Sequence, residues 1–255
     1  MLLTIDIGNT NTVLGVWDGD NLTRSWRIKT DSRDTADELA LVYGGLLAGY
    51  RVDGIAACST VPAALHELRA MLGDYYATIP TVLIEPGVRT GVGLLVENPK
   101  EVGADRIVNT AAAFHLVGGP AIVVDFGTST NFDVVSAKGE FMGGALAPGV
   151  EISLDALAAR AAQLRKVELI EPRSPIGRNT VESLQSGILY GFAGQVDGLV
   201  RRLRATLAPA DPEGVAVIAT GGLAPLVITN SDTVTRHEPD LTLLGLRLVF
   251  YRNIS

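Results

Sequence analysis

The sequence predicts an α/β protein made of two similar lobes that arose by internal duplication, each a mixed sheet flanked by helices. Three observations carry that prediction. The stretch Asp6-Ile7-Gly8-Asn9-Thr10-Asn11-Thr12 has a counterpart in Asp125-Phe126-Gly127-Thr128-Ser129-Thr130, which begins 119 residues later. That distance is too long for a solenoid repeat and suits a duplicated lobe. The flanks match as well: an apolar run precedes each stretch (residues 2–5 and 121–124), and a second follows it (13–17 and 132–135). A turn then closes each segment, at Asp18-Gly19-Asp20 or at Lys138-Gly139. Finally, 255 residues with 47% hydrophobic and 19% charged side chains and 28 glycines describe a globular chain able to bury a substantial core.

A strand ending in Asp-x-Gly and then hydroxyl side chains suits phosphate chemistry. Glycine lets backbone N–H groups approach a ligand, and these with Thr and Ser hydroxyls make a cradle for phosphate oxygens. The Asp supplies a carboxylate for a hydrated Mg²⁺ or another cation beside them. Asp and Thr are also ordinary turn residues. Two copies with matching flanks favour the binding reading over that one.

Net charge is −7 and the isoelectric point is near 5.0, so nothing recommends nucleic acid or an anionic membrane as a partner. The single cysteine, Cys58, rules out an internal disulfide framework. The chain opens on a strand without a signal-like or spanning apolar segment, and a cytoplasmic location is expected.

In order, strands are expected at 2–6, 12–17 and 22–29, the last from the alternation of Leu22, Arg24, Trp26 and Ile28. Thr35 or Asp34 caps a helix reaching Leu47, with Leu39, Val42, Tyr43, Leu46 and Leu47 at helical spacing. Residues 54–60 read as a buried parallel strand ending in small hydroxyl residues, Pro62 opens a helix to about 72, and 81–84 is a short strand. Residues 86–103 are punctuated by Pro86-Gly87, Gly91, Gly93, Asn98-Pro99 and Gly103 and read as irregular.

Gly103-Ala104-Asp105-Arg106 then leads into Ile107, Val108, Ala111, Ala112 and Leu116 at helical spacing. Asp105 is a natural first-turn carboxylate favoured by the helix dipole, whereas Arg106 opposes that dipole. The pair therefore admits two readings, a helix cap or a substrate site with Asp as base and Arg as anion ligand.

Further on, 143–149 reads as a strand broken into a loop by small residues, and 152–164 as a helix. Asn179-Thr180 starts a long helix to about 207, in which Gly187, Gly191 and Gly194 mark a kink or a close packing contact. Arg201-Arg202-Leu203-Arg204 is a solvated helix end, given the acidic background. A buried strand at 215–220 runs into Gly221-Gly222, where backbone could lie against a flat ligand, and 241–251 is a closing helix. His66, His115 and His237 have no metal-ligand spacing, and the chain contains no P-loop and no nucleophile elbow.

These segments together resemble type III pantothenate kinase. The resemblance rests on Asp6-Ile7-Gly8-Asn9-Thr10-Asn11-Thr12-Val13, Asn98-Pro99-Lys100-Glu101-Val102-Gly103-Ala104-Asp105-Arg106 and Asp125-Phe126-Gly127-Thr128. It extends through Gly143-Gly144-Ala145-Leu146-Ala147-Pro148-Gly149, Asn179-Thr180, Gly221-Gly222 and Asp240-Leu241-Thr242-Leu243-Leu244-Gly245-Leu246, in order over nearly the whole chain. The Gly-Ala-Asp-Arg box is its most specific part. The first hairpin alone indicates only the wider acetate and sugar kinase/heat-shock/actin superfamily.

The resemblance implies two ribonuclease-H-like (actin-like) lobes, residues 1–118 and 119–255, with ATP between them and the adenosine region in the second. It implies ATP-dependent phosphorylation of the pantothenate 4′-hydroxyl, the first committed step of coenzyme A synthesis. It further implies a homodimer that uses Mg²⁺ and a monovalent cation, K⁺ or NH₄⁺. Carried over by position, Asp6, Ile7, Gly8, Asn9, Thr10, Asn11, Thr12 and Val13 form the first ATP-phosphate loop, with Asp6 near Mg²⁺. Gly103, Ala104, Asp105 and Arg106 bind pantothenate, with Asp105 as catalytic base. Asp125 is the monovalent-cation ligand, Thr128 an ATP-phosphate contact and Thr180 a pantothenate contact. Two positions depart from the common pattern. Asn131 ends a second loop that more often reads Thr-Ala-Thr-Thr, and Val96 stands where a Tyr is frequent before the Asn-Pro pair.

Overall fold

The computed structural model describes residues 1–160 and 167–254. The chain divides into two compact units: 1–92 with 97–112 and 241–255, and 93–96 with 113–240.

In the first unit, β1 (Leu2–Ile7), β2 (Asn11–Asp18) and β3 (Asn21–Lys29) form the expected meander. They are followed by α1 (Ala36–Leu46), β4 (Gly54–Ser59), α2 (Pro62–Tyr75) and β5 (Thr81–Leu83). The sheet order is β3-β2-β1-β4-β5, with β1 antiparallel to β2 and parallel to β4. Thr35 is the cap of α1: its hydroxyl accepts from the Glu38 N–H while the Glu38 carboxylate accepts from the Thr35 N–H, a reciprocal capping box. Pro62 opens α2, where its missing N–H costs nothing.

Strand alternation assigns the two faces of this sheet. Leu3, Ile5, Ile7, Leu14, Val16, Ile55 and Ala57 form one core with Leu39, Tyr43, Leu68 and Met71 of α1 and α2. Leu2, Trp17, Ala56 and Cys58 form another with Leu243, Leu246, Val249 and Phe250 of a C-terminal helix, Leu241–Ile254. That helix therefore belongs with the first sheet, whereas a chain division at 118/119 would count it with the second.

The second unit repeats the plan. A helix, α3 (Ala104–Val117), which belongs to the first unit through Ala112, leads into β6 (Ala121–Phe126), β7 (Ser129–Val135) and β8 (Phe141–Pro148). After α4 (Val150–Arg160) and α5 (Thr180–Leu207) come β9 (Ala216–Thr220), α6 (Ala224–Ile228) and β10 (Arg236–His237), and the C-terminal helix is α7. The order β10-β9-β6-β7-β8 mirrors the first sheet, with β6 antiparallel to β7 and parallel to β9. Ile122, Val124, Phe126, Phe132, Val217 and Ala219 pack on Phe192, Val196 and Val200 of α5.

Three expectations change. Residues 143–149 lie mostly within strand β8, whose pairing with β7 is interrupted by an irregularity between Asp133 and Val135; Gly144 at φ +159° lies flat against Phe132 of β7, where a Cβ would stand 1.6 Å from the carbonyl oxygen. The glycines of α5 mark no tight packing contact: the helix runs unbroken from Thr180 to Leu207, and a Cβ at Gly187, Gly191 or Gly194 would meet nothing within 4 Å. The expected helix at 152–164 is described as α4 from Val150 to Arg160, and its last residues lie outside the described residues. Residues 86–103 are irregular apart from a bridge from Leu94 to Phe141 and a 3₁₀ turn at Pro99–Glu101.

Candidate active site

In the first unit, β1 delivers Asp6 to the end of the sheet and the chain turns through Gly8, Asn9 and Thr10 into β2. The Gly8 N–H donates to the Asn11 carbonyl at 3.0 Å, and the Thr12 and Thr30 hydroxyls hydrogen-bond at 2.9 Å. Asn9 and Thr10 are exposed at the tip. Register sets what lies beside Asp6: Val13 is paired with it on β2 and Cys58 on β4. The Cys58 thiol donates to Asp6 Oδ1 at 3.4 Å. Ile7 points to the opposite face and is core.

Asp105 stands in the first turn of α3, where its Oδ1 accepts from the Arg106 N–H at 2.9 Å. A Cβ at Gly103 would stand 2.4 Å from that same oxygen, so this position leaves the carboxylate its space. The charge of Asp105 acts on Asp6. Burial raises Asp6 to about 7, with the Asp105 charge adding and the Cys58 hydrogen bond and Arg27 charge opposing. Burial also raises Asp105, against the Arg106 N–H and guanidinium, which lower it. Asp105 is thus a first-turn carboxylate of α3 whose charge also acts on Asp6.

In the second unit, Asp125 occupies the position of Asp6, paired with Asn131 on β7 and Thr220 on β9. The turn after it is one residue tighter: Phe126 pairs with Thr130, whereas Ile7 pairs with Thr12. Gly127 repeats the role of Gly8, donating to the Ser129 carbonyl at 3.0 Å, and Thr128 is exposed at the tip. Ser129 donates to Asn131 Oδ1 at 2.9 Å, so the departing Asn is held within the turn. Gly221, at φ +91°, lies against Asp125: a Cβ there would be 2.6 Å from both Asp125 Oδ1 and the Phe126 carbonyl oxygen.

Two open grooves lie in the same unit. One of about 520 Å³ is lined by Leu154, Leu169, Gly222, Leu223 and Leu226. The other, about 680 Å³, is lined by Ile170, Arg173, Asn179, Thr180 and Gln185. Thr180 is the first residue of α5, which Asn179 caps by accepting from the Glu182 N–H at 2.9 Å.

The model of the family described as Type III pantothenate kinase matches residues 2–202. A type III pantothenate kinase of Frankia alni is 66% identical over 254 residues, covering all of both chains. One from Saccharopolyspora erythraea is 65% identical, again over the full length of both. The chain belongs to the type III pantothenate kinases. Solved structures show the fold of this kinase more widely. A conserved Baf family protein from Campylobacter jejuni superposes with TM-score 0.62 at 17% identity, over 98% of each chain. The ROK hexokinase of Thermus thermophilus gives 0.50 at 18% identity, over 100% and 99%.

Within this pantothenate kinase, the first unit gathers Asp6, the Gly8–Asn11 turn, Gly103, Ala104, Asp105 and Arg106. The second gathers Asp125, the Thr128 turn and Gly221, while Thr180 lies on a separate groove of that unit. Sequence reasoning missed Cys58 as the partner of Asp6. The parallel strand at 54–60 was legible, but its register against β1 was not.

Proposed function

We propose that this chain transfers the terminal phosphoryl group of ATP to the 4′-hydroxyl of pantothenate, the first committed step of coenzyme A synthesis. The observation that carries this reading is the approach of Asp105 to Asp6 in the first unit, a candidate base beside a candidate cation-binding carboxylate. In the reaction, the 4′-oxygen forms a bond to the terminal phosphorus, the bond from that phosphorus to the bridging oxygen of ADP breaks, and Asp105 accepts the hydroxyl proton. Arg106 binds the pantothenate carboxylate or positions the substrate, with Gly103 and Ala104 beside it and Thr180 contributing a further contact. Positioning and charge neutralisation carry most of such a transfer, since the protein forms no covalent bond to the phosphoryl group.

The N–H groups of the Gly8 and Gly127 turns and the hydroxyls of Thr10 and Thr128 suit phosphate oxygens. The groove beside Gly222 and Leu223 suits the adenosine. Asp6, on which the Asp105 charge also acts, offers a carboxylate to a cation, and Asp125 Oδ1 and the Phe126 carbonyl oxygen, which both border the space beside Gly221, offer oxygen donors for K⁺ or NH₄⁺. Bound there, Mg²⁺ and the monovalent ion would neutralise phosphate charge. Exposed Ile170, Ile176 and Val181 around Thr180 support a homodimer. A cytoplasmic site of action fits the reading, and among the described residues no helix is long and apolar enough to cross a membrane.

The test is ADP release from ATP and Mg²⁺, with and without pantothenate, in K⁺ and Na⁺ buffers. Pantothenate-dependent release that needs K⁺ is expected, and Asp105→Asn should abolish it while ATP still binds. Release that ignores pantothenate would overturn the substrate. Equal loss of ATP affinity in Asp105→Asn would overturn the base.

A further inference from the structure

The edge strand β3 divides its side chains between two environments. Trp26 and Ile28 pack on the core beneath α1 and α2, whereas Arg27 and Lys29 alternate to the other face and are exposed. Directly paired residues of neighbouring strands share a face. The pairs Arg27–Val13, Val13–Asp6 and Asp6–Cys58 therefore string four side chains into one row across β3, β2, β1 and β4. Two strand spacings put the Arg27 backbone about 10 Å from that of Asp6, a gap that an extended arginine largely spans. The guanidinium charge reaches Asp6, opposing the effects of burial and of Asp105.

An exposed arginine is usually a solvated one. Arg27 differs in where it stands. Among the described residues it makes no hydrogen bond or close ion pair, yet it shares a row with Asp6, and Asp105 acts on Asp6 too. If Asp105 takes the proton of the accepting hydroxyl, the phosphoryl group in flight lies within the reach of these charges. No P-loop lysine exists to neutralise it.

We propose that Arg27 is a ligand of the terminal phosphoryl group of the nucleotide, its planar fork donating to the oxygens of the group that is transferred. This rests on the reading of the first hairpin and Asp105 given above. Arg27 takes the place that a lysine holds in P-loop enzymes, but from an edge strand beside the hairpin. Lys29, two residues on and paired with Asn11 of the turn, adds a second positive charge on the same face.

The experiment is calorimetric binding of Mg·ATP and Mg·ADP to the full chain and to Arg27→Gln, Arg27→Lys, Arg24→Gln and Gly8→Val. Arg24 lies over the Trp26 ring at 5.5 Å and is the control for loss of a β3 charge. Arg27→Gln should weaken ATP about tenfold or more while changing ADP less than about twofold. Arg27→Lys, which keeps the charge without the fork, should recover part of the loss, and Arg24→Gln should bind both nucleotides normally. Unchanged ATP affinity in Arg27→Gln, with affinity lost in Gly8→Val, would overturn the role of Arg27 and leave the hairpin reading standing. Unchanged affinity in both variants would overturn the two together. Equal weakening of ATP and ADP by Arg27→Gln would remove the assignment to the terminal group.

Discussion

Cys58 and Asp6 occupy directly paired positions on the parallel strands β4 and β1, and the Cys58 thiol donates to Asp6 Oδ1 across 3.4 Å. Burial pushes the thiol well above its ordinary range, and the charges of Asp6 and Asp105 push it further. A thiol held protonated is a poor nucleophile. Native protein should therefore react with a disulfide reagent about tenfold or more slowly than unfolded protein at pH 8. Equal rates, measured by release of the chromophore, would mean that Cys58 is accessible and ionised.

The raised Asp6 carboxyl makes a prediction about stability without ligands. A carboxyl at about 7 when folded, against its ordinary value of 3.8, holds a proton in the native state that the unfolded chain has released. Its contribution therefore falls as pH rises from about 4 to about 7 and is constant above. Asp6→Asn removes this dependence. The variant should match the parent near pH 4 and exceed it in stability by a margin that grows to pH 7, with an upper bound of about 4 kcal/mol. Urea unfolding at several pH values measures the difference, and a margin that shrinks with rising pH would contradict the shift.

The hairpins, their Asp residues and the placement of Asp105 in a first helical turn were legible because each depends on local pattern: an apolar run, a glycine turn, a 3.6-residue period. What was not legible depends on register and on distant pairing. Cys58 reaches Asp6 only because β4 pairs with β1 without offset. The joining of α7 to the first sheet follows from Leu243, Leu246 and Phe250 covering Leu2 and Ala56, contacts that no local window contains. Strand β8 defeated the local reading for a different reason. Its glycines look like loop residues, yet Gly144 is needed because the backbone of β7 lies too close for any side chain.

Arg247 fixes α7 to the turn between β2 and β3. Its Nε donates to the Gly19 carbonyl at 2.8 Å, its guanidinium pairs with Asp20, and it stands 5.5 Å from the Trp17 ring and 5.4 Å from the Tyr251 ring. Arg247 is 9% exposed, whereas the Asp20 side chain is 90% exposed and its pairing is screened by solvent. The two ends of this ion pair should therefore differ. Arg247→Ala should cost about 2–3 kcal/mol through lost packing and hydrogen bonding, and Asp20→Ala less than about 1 kcal/mol. Similar losses for the two in chemical denaturation would shift the weight to the ion pair itself.

Two glycine-to-alanine exchanges should move stability in opposite directions. Gly187 lies in the interior of α5 with open space around it, so an added Cβ restricts the unfolded chain without a clash and should stabilise by about 0.5–1 kcal/mol. Gly221 sits at φ +91°, and its Cβ would enter the space between Asp125 Oδ1 and the Phe126 carbonyl. Gly221→Ala should therefore destabilise by about 1–3 kcal/mol. If Asp125 holds the monovalent ion, the same exchange should raise the K⁺ concentration needed for half-maximal turnover, because the clash displaces a proposed ligand. Thermal unfolding measures the first effect and a K⁺ titration of turnover the second. A destabilised Gly221→Ala with an unchanged K⁺ requirement would separate Asp125 from the cation and leave it a structural residue of the second hairpin.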